Sequence, residues 1–118
     1  MRKICNINLE QRGEIFEKID AYCKEVARKL KPETIILFGS FAKDDVNEGS
    51  DIDILVISNF KENFLDRIKV LLDLNRFKIP VEPIGYTPEE YAKMKKERNS
   101  FYEEVIQDCK VLYGTLPK

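Results

Sequence analysis

Leu37-Phe38-Gly39-Ser40-Phe41-Ala42-Lys43, followed after a polar stretch by Ser50-Asp51-Ile52-Asp53-Ile54-Leu55-Val56, is the passage on which the fold turns. An apolar strand runs into a Gly-Ser corner, and two carboxylates open a second apolar strand. Side chains alternate faces along a strand, so Asp51 and Asp53 point the same way. Carboxylate pairs of this kind are hard oxygen ligands for a divalent cation. The Gly-Ser corner offers backbone N–H groups and a hydroxyl to phosphate oxygens. Together they describe a candidate site for a Mg²⁺-bound nucleoside triphosphate. Four fixed residues at ordinary frequencies coincide about once in 10⁵ positions, which separates this pattern from an ordinary hairpin with exposed Asp residues.

The rest of the chain narrows the possibilities. Its 118 residues suit one domain with a single core, 1–118. With 43% hydrophobic and 35% charged residues the composition is that of a globular protein. Twenty basic against 21 acidic residues leave a net charge of -1, without the basic excess of a free-standing nucleic-acid binder. There is no histidine, which removes His-based acid–base catalysis and His-ligated zinc. Cys5, Cys23 and Cys109 are odd in number and lack a Cys-x-x-Cys pair, so reduced thiols are expected in place of disulfides or zinc. The first residues show no signal-peptide pattern, and no stretch approaches a membrane span, so no membrane association and a cytoplasmic location are expected.

Periodicity sets the order of elements. Asn8 and Gln11 can cap a helix carrying the stripe Ile15, Ile19, Tyr22, Val26 and Leu30, ended at Lys31-Pro32. Thr34 to Phe38 reads as a buried strand, Phe41-Ala42-Lys43 as the start of a short helix, and Ile52 to Ile57 as a second strand. Asn59 with Glu62 fits a cap for a helix whose buried side is Phe64, Leu65, Ile68, Leu71, Leu72 and Asn75. Ile79 to Tyr86 is strand-like, and its two prolines after Ile79 place it at a sheet edge or bulge. Thr87-Pro88-Glu89-Glu90 starts a further helix, Ser100 with Glu103 another, and Val111-Leu112-Tyr113 is a short extended segment. The order predicts an α/β fold: a small mixed sheet with helices packed on one side and the metal site at the open edge. A Rossmann-type sheet would need more strands and a Gly-rich turn after the first.

From Ile35 to Ile57 the chain resembles the core of the DNA polymerase beta-type nucleotidyltransferase superfamily. Within it the short chain is similar to the minimal nucleotidyltransferases, the antitoxin-like partners of HEPN proteins. Gly39, Ser40, Asp51 and Asp53 match that motif residue by residue, whereas Asp44 stands where many members carry Gly. The resemblance implies a nucleotidyltransferase fold, two Mg²⁺ ions, and ATP or another NTP as donor. It also implies a third carboxylate on a later strand, for which Glu82 is the candidate, an acid between Val81 and Pro83. The alternative is that Glu82 is a solvent-facing residue of an edge strand, with Asp45 or Glu48 as replacements. Gly39, Ser40, Lys43 and Ser50 are the candidate nucleotide-binding residues, although Lys43 could be merely solvated and Ser50 a turn cap.

For the acceptor, the family implies AMP transfer to a tyrosine of a HEPN-type partner. Transfer to a small hydroxylated molecule, or a non-catalytic sequestering subunit, are the alternatives. The chain shows no aromatic-basic track for a nucleic acid, and oligomerisation stays open.

Overall fold

The computed structural model describes residues 9–39, 51–77 and 79–115, with the side chains of residues 9–12 left aside. The elements are α1 (Leu9–Leu30), β1 (Thr34–Phe38), β2 (Ile52–Ile57), α2 (Phe64–Asp73), β3 (Val81–Tyr86), α3 (Pro88–Glu97), α4 (Ser100–Gln107) and β4 (Cys109–Gly114). The expected cap at Asn8 and the short helix at Phe41 to Lys43 lie outside the described residues.

Four strands form one sheet in the order β3-β2-β1-β4. Strand β1 runs antiparallel to β2 and to β4, while β2 and β3 are parallel. The sheet is therefore small and mixed, and β3 is an edge strand, as expected of a strand that carries Pro83. Val111 to Tyr113 belong to a full strand that pairs with β1.

All five residues of β1 are buried, the signature of a strand covered on both faces. Ile35 and Leu37, with Ile52, Ile54 and Val56, pack against Ile19, Tyr22 and Val26 of α1 and Leu71 of α2. Ile36 and Phe38, with Leu55 and Ile57, pack against Tyr91 and Met94 of α3 and Tyr102 and Val105 of α4. The expected class, a small mixed sheet flanked by helices, is found. Its helices are not confined to one side, because both alternating sets of β1 and β2 are apolar and each needs a cover. Tyr22 donates its hydroxyl to the carbonyl of Leu71 at 2.7 Å and ties α1 to the end of α2.

Helix α2 departs most from expectation. Its N-cap is Asn63, which accepts from the Asp66 N–H at 3.0 Å, in place of Asn59. Its buried residues are Arg67 and Leu71, whereas Leu65 is 74% exposed and Leu72 46%. The cause is Arg67, only 7% exposed. Its guanidinium donates to the carbonyls of Glu62 (2.8 Å) and Gly85 (3.2 Å) and to Glu90 Oε1 (2.6 Å), and lies 5.4 Å from the Phe60 ring centre. A buried charge needs such partners. Holding Arg67 inward turns the Phe64-Leu65-Ile68-Leu72 side of the helix outward. Glu90 also accepts from the Thr87 N–H, completing the capping box expected at the start of α3. Asn99, one residue before the expected Ser100, caps α4.

Candidate functional site

Gly39 ends β1 with φ +75°, a left-handed conformation that only glycine adopts freely. A Cβ here would collide with the Asp53 carboxylate oxygen Oδ2 and would lie 3.2 Å from Asp53 Cγ. Gly39 is thus required twice, for its backbone angle and for the carboxylate resting against it.

Asp53 lies opposite Phe38 in the β1–β2 register and opposite Glu82 in the β2–β3 register. Partners in register share a face, so Glu82 faces the same side as Asp53, and Asp51 precedes Asp53 by two residues. The Glu82 carboxyl hydrogen-bonds with Asp51 and feels the charge of Asp51 and then Asp53, which raise its pKa above the usual carboxylate range. The Asp53 pKa is raised too, first by burial, then by Asp51, and then by Glu104. The structure therefore rests Asp53 against Gly39 and sets Glu82 beside Asp53 and Asp51 on the same face. Ser40, Lys43 and Ser50 lie outside the described residues, as do Asp45 and Glu48.

The family model for the nucleotidyltransferase domain matches residues 19–113, most of the chain and all of this site. The chain belongs to the nucleotidyltransferase domain family. It is 34% identical over 105 residues to "Putative protein adenylyltransferase MJ0604" of Methanocaldococcus jannaschii, covering 89% of this chain and 100% of that protein. It is 32% identical over 94 residues to "Putative protein adenylyltransferase MJ0141" of the same organism, covering 78% and 92%. The fold is shared with a crystal structure described as a putative nucleotidyltransferase from Sulfolobus solfataricus, at TM-score 0.66 and 24% identity over 97% of this chain and 90% of that one. A crystal structure described as a toxin–antitoxin with AMP-PNP matches at TM-score 0.56 and 20% identity, over 81% and 73%. These relationships make this protein an enzyme of nucleotidyl transfer.

The side chains that meet here offer carboxylate oxygens, the donor type a hard divalent cation takes, and the pKa values of Asp53 and Glu82 are both raised. Among the described residues no three His, Cys, Asp or Glu side chains stand in a ready-made metal-ligand cluster. Sequence reading missed Glu104. It sits on α4, a turn from Phe101, whose ring meets Phe38 edge-on at 5.7 Å and so brings α4 towards Asp53. Only the packing of α4 on the sheet creates that proximity.

Cys23 is buried and its thiol is pushed up to about 12, mainly by burial and then by Asp20, while Cys109 is half-buried. Both are free thiols, and Cys23 has the character of a core residue. Among the described residues no helix is long and apolar enough to cross a membrane.

Proposed function

We propose that this nucleotidyltransferase moves AMP from ATP to a tyrosine hydroxyl of a HEPN-type partner, an antitoxin-like role. The observation that carries the reading is the Asp53 carboxylate resting against Gly39 with Glu82 opposite it in the strand register. Further support comes from relatives named as protein adenylyltransferases and from a neighbour in fold described as a toxin–antitoxin with AMP-PNP.

In this reading the Gly39-Ser40 corner, with Lys43 and Ser50, binds the triphosphate, and Asp51, Asp53 and Glu82 hold two Mg²⁺ ions. When bound, these ions supply positive charge to the phosphoryl and leaving oxygens. The acceptor oxygen forms a bond to the α-phosphorus. The bond from that phosphorus to the bridging oxygen breaks, and its electron pair leaves with pyrophosphate. Glu82, nearest the outer edge of the sheet, takes the hydroxyl proton. Gly39 keeps the Asp53 carboxylate where the phosphate corner can reach it.

The test is intact-mass spectrometry of the protein encoded beside this one after incubation with ATP, Mg²⁺ and the enzyme, with Asp53→Asn as control. The expected result is a gain of one or more AMP units on a tyrosine, lost with Asp53→Asn. An unmodified partner that binds tightly overturns the reading in favour of sequestration. A modified small hydroxylated compound, with the partner untouched, overturns the choice of acceptor.

A further inference from the structure

A cavity of about 290 Å³ opens at the outer edge of β3, walled by Ile68 and Leu72 of α2 and by Val81, Pro83 and Ile84, with Asp53 and Glu82 in its lining. We infer that this α2–β3 cavity is the acceptor subsite, seating the ring of an aromatic hydroxyl side chain with its O–H directed at Glu82 and Asp53. The inference rests on the reading of the enzyme as an AMP transferase to a hydroxyl, and it names the surface that selects the acceptor.

Three observations carry it. The first is position. In the strand order β3-β2-β1, Gly39 at the end of β1 and the cavity beyond β3 lie on opposite flanks of the Asp51–Asp53 strand. Displacement at phosphorus is in line, so acceptor and leaving pyrophosphate occupy opposite sides of the transferred group. A triphosphate tail held at the Gly39 corner leaves the β3 flank for the acceptor.

The second is lining chemistry. Five aliphatic or proline residues line the cavity, and Asp53 and Glu82 are its two charged residues. A polyhydroxylated molecule would lose water from its hydroxyls against those walls without replacement bonds, at a cost of about 1–3 kcal/mol for each unpaired group. A phenol matches both parts: its ring takes the apolar wall and its single O–H reaches an acceptor. The volume lies just under the roughly 300–1,000 Å³ of sites for drug-sized ligands, and so suits a single ring.

The third is what surrounds the mouth. Leu65 and Leu72 are exposed on one side of α2, and Phe64, whose ring meets Tyr86 at 5.6 Å, is partly exposed beside them. Large apolar side chains grouped on one helix face mark a surface that meets another protein. A free small molecule would have no use for Leu65. The occupant is therefore a tyrosine carried on a protein whose surface also covers this helix face.

The experiment follows the methyl signals of Ile68, Leu72 and Ile84 in the full-length chain during titration with N-acetyltyrosinamide, myo-inositol and ATP–Mg²⁺. Saturable shifts with the tyrosine amide and none with inositol are expected. Leu72→Trp, which fills the cavity from a partly exposed position, should weaken tyrosine-amide binding about tenfold and leave ATP affinity within about twofold. Ile68→Ala, which enlarges the cavity, guards against a misfolded Trp variant and should weaken tyrosine-amide binding alone. Saturable shifts of these methyls with ATP instead, or their silence towards the tyrosine amide, overturn the assignment. A parallel incubation with α-labelled ATP separates the two levels. Label on inositol with no tyrosine-amide binding removes the subsite and leaves hydroxyl transfer standing. No label on any acceptor, the neighbouring protein included, removes the transferase reading and the subsite with it.

Discussion

Gly39→Ala is the most direct test of how the site is assembled, because its effect can be divided into two parts. Alanine at φ +75° is strained in itself, by about 1–2 kcal/mol. The new methyl also strikes Asp53 Oδ2 and lies 3.2 Å from Cγ, so the carboxylate must leave its position or the strands must part. Overpacking of this kind costs about 1–3 kcal/mol, giving about 2–5 kcal/mol in all. Asp53→Ala removes Cγ and both oxygens and leaves Cβ at 3.4 Å, an ordinary contact. In that background Gly39→Ala should cost only the backbone part, about 1–2 kcal/mol. Urea unfolding of the four proteins in the cycle, each with its own midpoint and slope, should therefore give a coupling of about 1–3 kcal/mol. Additivity within about 0.5 kcal/mol would refute the packing of Asp53 on Gly39, and with it the geometry of the candidate site.

Asp53→Asn should raise the melting temperature of the metal-free protein at neutral pH, because the burial and like charges that raise the Asp53 pKa penalise its charged form. A carboxyl with a raised native pKa is not penalised below its unfolded value and loses stability as pH rises through its native value. The gap between Asp53→Asn and wild type should thus be widest near neutral pH and close towards pH of about 4, and a gap that widens on acidification contradicts the assignment. Glu82→Gln keeps the shape and removes the charge, so transfer from α-labelled ATP should fall by about 10²-fold or more while ATP affinity changes little; wild-type turnover would make Glu82 a surface residue. Glu90→Gln should destabilise by about 1–3 kcal/mol in denaturant, since buried Arg67 exchanges its charged partner for a neutral amide oxygen and otherwise keeps the carbonyls of Glu62 and Gly85. A neutral result there would show that the negative charge of Glu90 is not needed to hold Arg67 inward.

By itself the sequence determined the features that arise from neighbours along the chain. Alternation placed Asp51 and Asp53 on one face, the apolar runs marked β1 and β2, and Thr87-Pro88 with Glu90 wrote a helix start that the structure contains unchanged. These depend on local geometry with a fixed period, so spacing is enough to read them. Glu82 could be nominated but not placed, because its pairing with Asp53 is a register between strands separated by α2. Only the tertiary structure decided that register. It also decided which side of α2 is buried. Apolar periodicity alone assigned Leu65 and Leu72 to the core, whereas a desolvated Arg67 needed Glu62, Gly85, Glu90 and Phe60 around it and took the inward position. The same kind of long-range packing set α3 and α4 over the second face of the sheet and carried Glu104 to Asp53. A pattern of spacings reports which residues can share a face. Which face then meets which partner depends on contacts between elements far apart in the chain, and those are settled only when charge and core are satisfied together.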